Sequence, residues 1–173
     1  MSHHPLTVAN TIVVLEANEG RVLDALEVGM LTYEAHAWVL AYTGKPLCSE
    51  PVKAWRHGPA FDSIVEAYRS LRRQEPVTRL ATTTDVAGKK ACAVIPKSEA
   101  STREMIVAVL DAHRHMTGVQ LCNGTHEDGG PWMQARRTAR EDERPVIPQQ
   151  WIIDWCRARL NRSEASQDFR NCA

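Results

Sequence analysis

Between residues 22 and 43 apolar side chains recur at three- and four-residue steps: Leu23, Leu26, Met30, Leu31, Ala35, Trp38 and Tyr42. An α-helix turns once in 3.6 residues, so this spacing lays an apolar stripe along one long helix. Gly44 follows the stripe and Pro46 lies just beyond. Glycine accepts the left-handed cap and proline cannot extend the ladder, so the helix is expected to stop there. Gly29, inside the run, costs about 1 kcal/mol against alanine and suits close helix packing.

Further helices follow from the same periodicity. Residues 5–17 carry Val8, Ile12 and Leu15, start at Pro5 or Thr7, and end at Gly20. About 61–73 carries Phe61, Ile64, Val65, Tyr68 and Leu71; 99–115 carries Met105, Ile106, Val109 and Leu110. Thr117 caps a short helix over 118–123, Trp132–Arg140 supplies a turn or two, and Pro148 opens a last helix over 149–160. Residues 51–57 alternate weakly as a short extended segment, and Gly58-Pro59 is expected to turn the chain. Val77–Leu80 and Ala91–Ile95 flank Asp85-Val86-Ala87-Gly88 as a β-hairpin near 76–95. The fold class is therefore mainly α (α+β): a compact domain of about six helices over residues 1–160, with 161–173 a polar, flexible tail. Ile12, Leu26, Trp38, Ile64, Leu110 and Trp155 are expected to share one core.

Bulk properties exclude several classes. With 43% apolar and 24% charged residues, the chain has the make-up of a globular domain rather than a disordered one. Its 21 basic and 21 acidic side chains cancel, which argues against nucleic acid as the main ligand. No basic segment precedes a long apolar run, and Ala35–Tyr42 is too short to span a bilayer, so a cytoplasmic protein with no membrane partner is expected. The five cysteines are odd in number and none is spaced CxxC, which fits reduced thiols; Cys92, Cys122 and Cys156 are expected as small core hydrophobes.

Two segments carry the chemistry. Ala54-Trp55-Arg56-His57-Gly58-Pro59 and Gly124-Thr125-His126-Glu127, running into Pro131-Trp132, each join a tryptophan to a Gly or Pro turn and polar residues. Each reads as a built turn beside an anchored aromatic. His57 and His126 are the acid/base candidates, with Glu127 or Asp128 to orient them. The histidines elsewhere are poor metal ligands: His3 and His4 lie in a loose terminus, His113 and His115 point apart on a helix, and His36 sits among apolar residues. No HExxH, P-loop, GxGxxG or strained nucleophile elbow is present. No metal or cofactor is expected. Trp, Tyr and Arg dominate protein interfaces, so Arg56 beside Trp55 and Arg136 beyond Trp132 suit a binding patch. Both segments are expected to lie against each other, a shared feature that explains why both exist.

Three motifs in order resemble the SocA-like Panacea domain, found in antitoxins and in phage and mobile-element proteins of the GepA group. The likeness runs over residues 5–160. Tyr33-x-Ala35-x-x-Trp38 leading to Gly44-Lys45-Pro46-Leu47 is similar to the family's long helix and its exit. Glu50-Pro51-Val52-x-Ala54-Trp55-x-x-Gly58-Pro59 followed by Tyr68 is similar to its central motif. Leu121-x-x-x-Thr125-His126-Glu127-x-Gly129-x-Pro131-Trp132-x-x-Ala135-Arg136 resembles its Thr-His and Pro-Trp motif. His57 stands where the family often has tyrosine, and residues 80–96 are longer than in the family pattern. The resemblance implies an antitoxin that neutralises a cognate toxin by direct contact, or, as in some members, delivers it to a host protease, with no enzymatic activity. The expected partner contacts are Trp55, Arg56, His57, Pro59, Thr125, His126, Glu127, Trp132 and Arg136. The alternatives are a phage regulatory factor acting on a host component, and an enzyme using His57, His126 and Glu127.

Overall fold

The computed structural model describes residues 2–72, 74–84 and 88–171, with side chains through Asn161. The long stripe forms α2, Ala25–Thr43. Asp24 caps it: its carboxylate accepts from Glu27 N–H while the Glu27 side chain accepts from Asp24 N–H. This reciprocal pair satisfies two of the free donors at the helix start. Gly44 ends the helix in the left-handed region at φ 68°. A single apolar stripe does not describe α2 fully. Every residue from Met30 to Ala37 is buried, Thr32, Glu34 and His36 included, because α2 runs through the middle of the molecule.

α1 (Pro5–Asn18), α4 (Ala100–His113), α5 (Gly118–Gly124) and α7 (Gln149–Asn171) all pack against α2. Ile12, Ile106, Leu121, Ile147 and Ile152 fill the space between them and are shielded from solvent. Ile64 and Leu110 join this core as expected; Leu26, Trp38 and Trp155 are only partly buried. Leu26 and Trp38 each line an open depression at the rim. Gly29 is not a demand of close packing, since an added Cβ would meet Ile64 at an ordinary 3.8 Å.

The N-terminus is built into the fold. His3 bridges Cys48, with His3 N–H donating to Leu47 O at 2.7 Å and Ser49 N–H to His3 O at 2.8 Å. His4 caps α1 by accepting from Leu6 N–H. Both histidines therefore have structural partners, which a loose terminus would not give them.

α3 is shorter than its periodicity suggests, Asp62–Ala67, with Phe61 wholly buried at its cap. Past it the chain runs extended and pairs briefly as β3 (Thr83–Thr84) with β4 (Lys90–Ala91). The expected turn residues Asp85, Val86 and Ala87 lie outside the described residues. Asn10 and Thr11 of α1, both fully buried, clamp the base of this excursion. Asn10 donates to Ala81 O and Ala93 O at 2.8 and 3.0 Å and accepts from Ala81 N–H. Thr11 Oγ1 accepts from Ile95 N–H at 2.8 Å. Cys92 is exposed here rather than in the core, since it lies beyond the clamp, whereas Cys48, Cys122 and Cys156 are buried. α7 runs on to Asn171, past the expected end at residue 160. Cys172 lies outside the described residues.

Candidate functional site

Lys53–Trp55 (β1) and Gly58–Ala60 (β2) form a tight antiparallel hairpin with Trp55 opposite Gly58. The turn is thus Arg56-His57, and Gly58-Pro59 stands in the second strand rather than at the turn. Gly58 adopts φ 149°, a conformation L side chains rarely take, where the strand passes Thr125, Cys122 and Met30. Pro59 pairs with Ala54 on an edge, where its missing N–H costs no ladder bond. Residues 145–147 run along the other side of β1, through Ala54 N–H to Pro145 O and Ile147 N–H to Val52 O, each 2.8 Å.

α5 starts at Thr117, whose hydroxyl and Gln120 form the expected cap. The loop after it leads into α6, Pro131–Arg137. This second segment meets the hairpin from below, as expected, although some 70 residues separate them. Trp132 Nε1–H donates to Trp55 O at 2.8 Å. Cys122 Sγ–H donates to His57 O, and His126 Nε2 is 3.2 Å from the same oxygen, so it carries the proton that bonds it. The His126 ring stacks on Trp132, with centroids 4.1 Å apart and planes inclined at 20°. Thr125 Oγ1 turns back to Cys122 O at 2.7 Å. The carbonyls at the end of β1 and in the turn thus take donors from a tryptophan, a thiol and an imidazole.

These bonds sort the candidate residues. Pro59, Thr125 and Trp132 are buried and form the frame. Arg56, His57 and Glu127 are exposed, with Trp55 and His126 half-buried. Trp55 is braced on two sides. Its Nε1–H donates to Asp62 at 3.1 Å, and the Arg144 guanidinium lies 3.9 Å over its ring. Arg136 is turned back on the following loop: it donates to Glu143 O and Arg140 O at 2.7 and 3.2 Å, holding the loop that delivers Arg144. Arg56 reaches Glu141 at 3.5 Å, an exposed pair of little stabilising value.

Beside the turn lies a depression of about 350 Å³ between the start of α2, the hairpin and α3. Leu26, Met30, Ile64 and Val65 make its apolar walls, and its charged liners are Arg56 and Arg69, with His57 at the edge. His126 does not line it, so the two histidines share one carbonyl without sharing a cleft. Sequence reasoning passed over Asp62, Cys122 and Arg144. Asp62 and Arg144 carry no local signal, and Cys122 looked like any core thiol.

The family model for the antitoxin SocA-like Panacea domain matches residues 31–133. The chain belongs to this family. The matched span holds both the Trp55 hairpin and the Trp132 segment, and it is narrower than the 5–160 expected from the motifs. Membership supports an antitoxin-type, non-enzymatic regulatory role in general terms and a protein partner in general terms. No curated protein and no solved structure matches the chain. Among the described residues no helix is long and apolar enough to cross a membrane, and no group of three His, Cys, Asp or Glu side chains is placed to hold a metal ion.

Proposed function

We propose that this Panacea-domain chain is an antitoxin that neutralises a cognate toxin by stoichiometric binding, with the Arg56-His57 turn as the centre of its contact surface. The supporting observation is the pinning of that turn: Trp132 holds the carbonyl of Trp55 just before it, and Cys122 and His126 hold that of His57 within it. A turn whose backbone is fixed loses little entropy on binding, so its outward side chains meet a partner preorganised. Arg56, His57, the open edge of Trp55 and Glu127 form the contact, around the apolar depression. Trp132, Thr125, Pro59 and Arg136 act by holding them in place.

An acid/base enzyme is the weaker reading. His126 spends Nε2 on a backbone carbonyl and packs its ring on Trp132, and it does not face the depression that His57 lines. The test is co-expression with a toxin-like gene encoded beside this one, then titration of purified protein. Protection should reach completion at a fixed molar ratio, and Arg56→Ala with His57→Ala should weaken binding while the fold melts normally. Protection far below one copy per toxin would instead indicate turnover or delivery to a protease.

A further inference from the structure

A second depression opens at the other end of α2. Its apolar walls are Trp38 and Tyr42 of α2, Met105 and Ala108 of α4, and Leu160 of α7. Tyr42 is 67% exposed, unusual for a ring set in an apolar wall. The volume is about 630 Å³, inside the range of roughly 300–1,000 Å³ found for small-molecule sites. Among the described residues, the basic side chains that line it are His113 and Arg159, and no carboxylate does so.

The two groups differ in their commitments. His113 Nδ1–H donates to Val109 O at 2.7 Å, which turns Nε2 toward the buried Glu34 carboxylate 3.8 Å away. Burial raises the Glu34 pKa, and the neighbouring His113 and then Arg159 oppose that rise. Arg159 makes no hydrogen bond or ion pair with another described residue. His113 is thus the closer neighbour of Glu34; Arg159 acts on it only from beyond ion-pair distance, and its fork of donors stands beside the apolar walls.

We propose that this groove binds a free amphiphilic carboxylate. Its alkyl chain or aromatic ring lies over Trp38, Tyr42 and Met105, and its carboxylate pairs with Arg159. A guanidinium matches a carboxylate with two parallel donors, and a methionine adapts its shape to an apolar body. A membrane surface would call for a cluster of basic residues, where this site has one guanidinium among the described residues. A protein segment would need a larger contact, since stable interfaces bury above roughly 1,000 Å².

Calorimetric titration with decanoate, kept below its micelle concentration, tests this. One decanoate should bind per chain, and decyltrimethylammonium should not. Arg159→Gln should weaken decanoate at least about tenfold, the loss of a charge-assisted bond. Ala108→Trp, at an exposed helix position, should fill the groove and abolish binding with an unchanged melt; Ala112→Trp serves if that variant does not fold. No decanoate binding near 1 mM, equal binding of the cationic amphiphile, or binding that survives Arg159→Gln or the tryptophan variant would overturn the proposal. So would sedimentation with anionic phosphatidylglycerol vesicles that decanoate fails to reverse.

Discussion

The two ends of α2 border concave surfaces made in different ways. At the start of the helix the depression is edged by a two-residue turn, and side chains from α5, α6 and the loop between them hold its main chain through polar bonds. At the far end the walls are side chains projecting from regular helices, whose main chain is already satisfied by its own ladder. The difference predicts how each responds to substitution. Removing a donor at the first site takes a bond from a carbonyl and loosens the backbone that presents the proposed contact residues. Removing a wall at the second changes the shape of the groove and leaves its frame in place.

The largest effect should come from Trp132→Ala. This buried indole both fills the core under the hairpin and bonds Trp55 O, so urea unfolding should show a loss of about 3–5 kcal/mol. Trp132→Phe keeps most of the volume and should lose about 1–3 kcal/mol, chiefly from the lost bond to Trp55 O. An equal cost for both would mean that packing alone holds the turn, and the contrast between the two ends would fail.

His36 lies between the two surfaces and probes the helix that joins them. Burial lowers its pKa to about 4, and its Nδ1 accepts from Cys48 N–H at 3.1 Å, so the folded ring is neutral. The unfolded chain takes up a proton below about pH 6.5. Stability from this group is thus complete above that pH and falls as the pH drops toward about 4, by about 3 kcal/mol. Chemical unfolding of the wild type and His36→Gln at pH 7.5 and 4.5 checks the sign; the variant should lose less on acidification. The comparison is needed because Glu34, whose folded pKa is raised, pulls the other way: its contribution is complete below the unfolded value and is lost as pH rises through the raised folded one.

Trp38→Ala, at the far end, should cost about 1–3 kcal/mol, below the value for a wholly buried ring, because part of the indole already faces the groove. Thermal melts of Trp38→Ala and Trp132→Ala in parallel should preserve this order. A reversal would show the far wall to be the stiffer of the two. The smallest stability change is expected for Arg56→Ala and His57→Ala, within about 0.5 kcal/mol as for other exposed sites. Their effect should fall on toxin binding, at least about tenfold by titration.

Much of the fold was legible where one periodic signal coincided with one cap. α2 with Gly44, α5 with Thr117, and α6 opened by Pro131 all stand close to where the pattern puts them. The hairpin beside the site was legible as extended but mis-set at its turn. Gly-Pro is a strong turn signal, yet the pairing of Trp55 with Gly58 placed the corner at Arg56-His57. Asn10 and Thr11 were passed over because polar residues inside a helix look incidental until the segment they clamp is known. Arg136 read as a contact residue, but its guanidinium is taken up by two backbone carbonyls from a loop several residues away.

The sequence by itself determined the helical class, the long central helix, the family, and the pairing of two tryptophan-bearing segments. These rest on local periodicity and on motif order, which need no knowledge of distant neighbours. Tertiary structure alone decided which of those residues face outward. Trp55 and Trp132 are chemically alike and similarly flanked, yet one is half-exposed and the other buried beneath it. That division depends on which carbonyls the turn leaves unpaired and which side chains arrive to bond them, and those donors come from residues some 70 positions away in the chain.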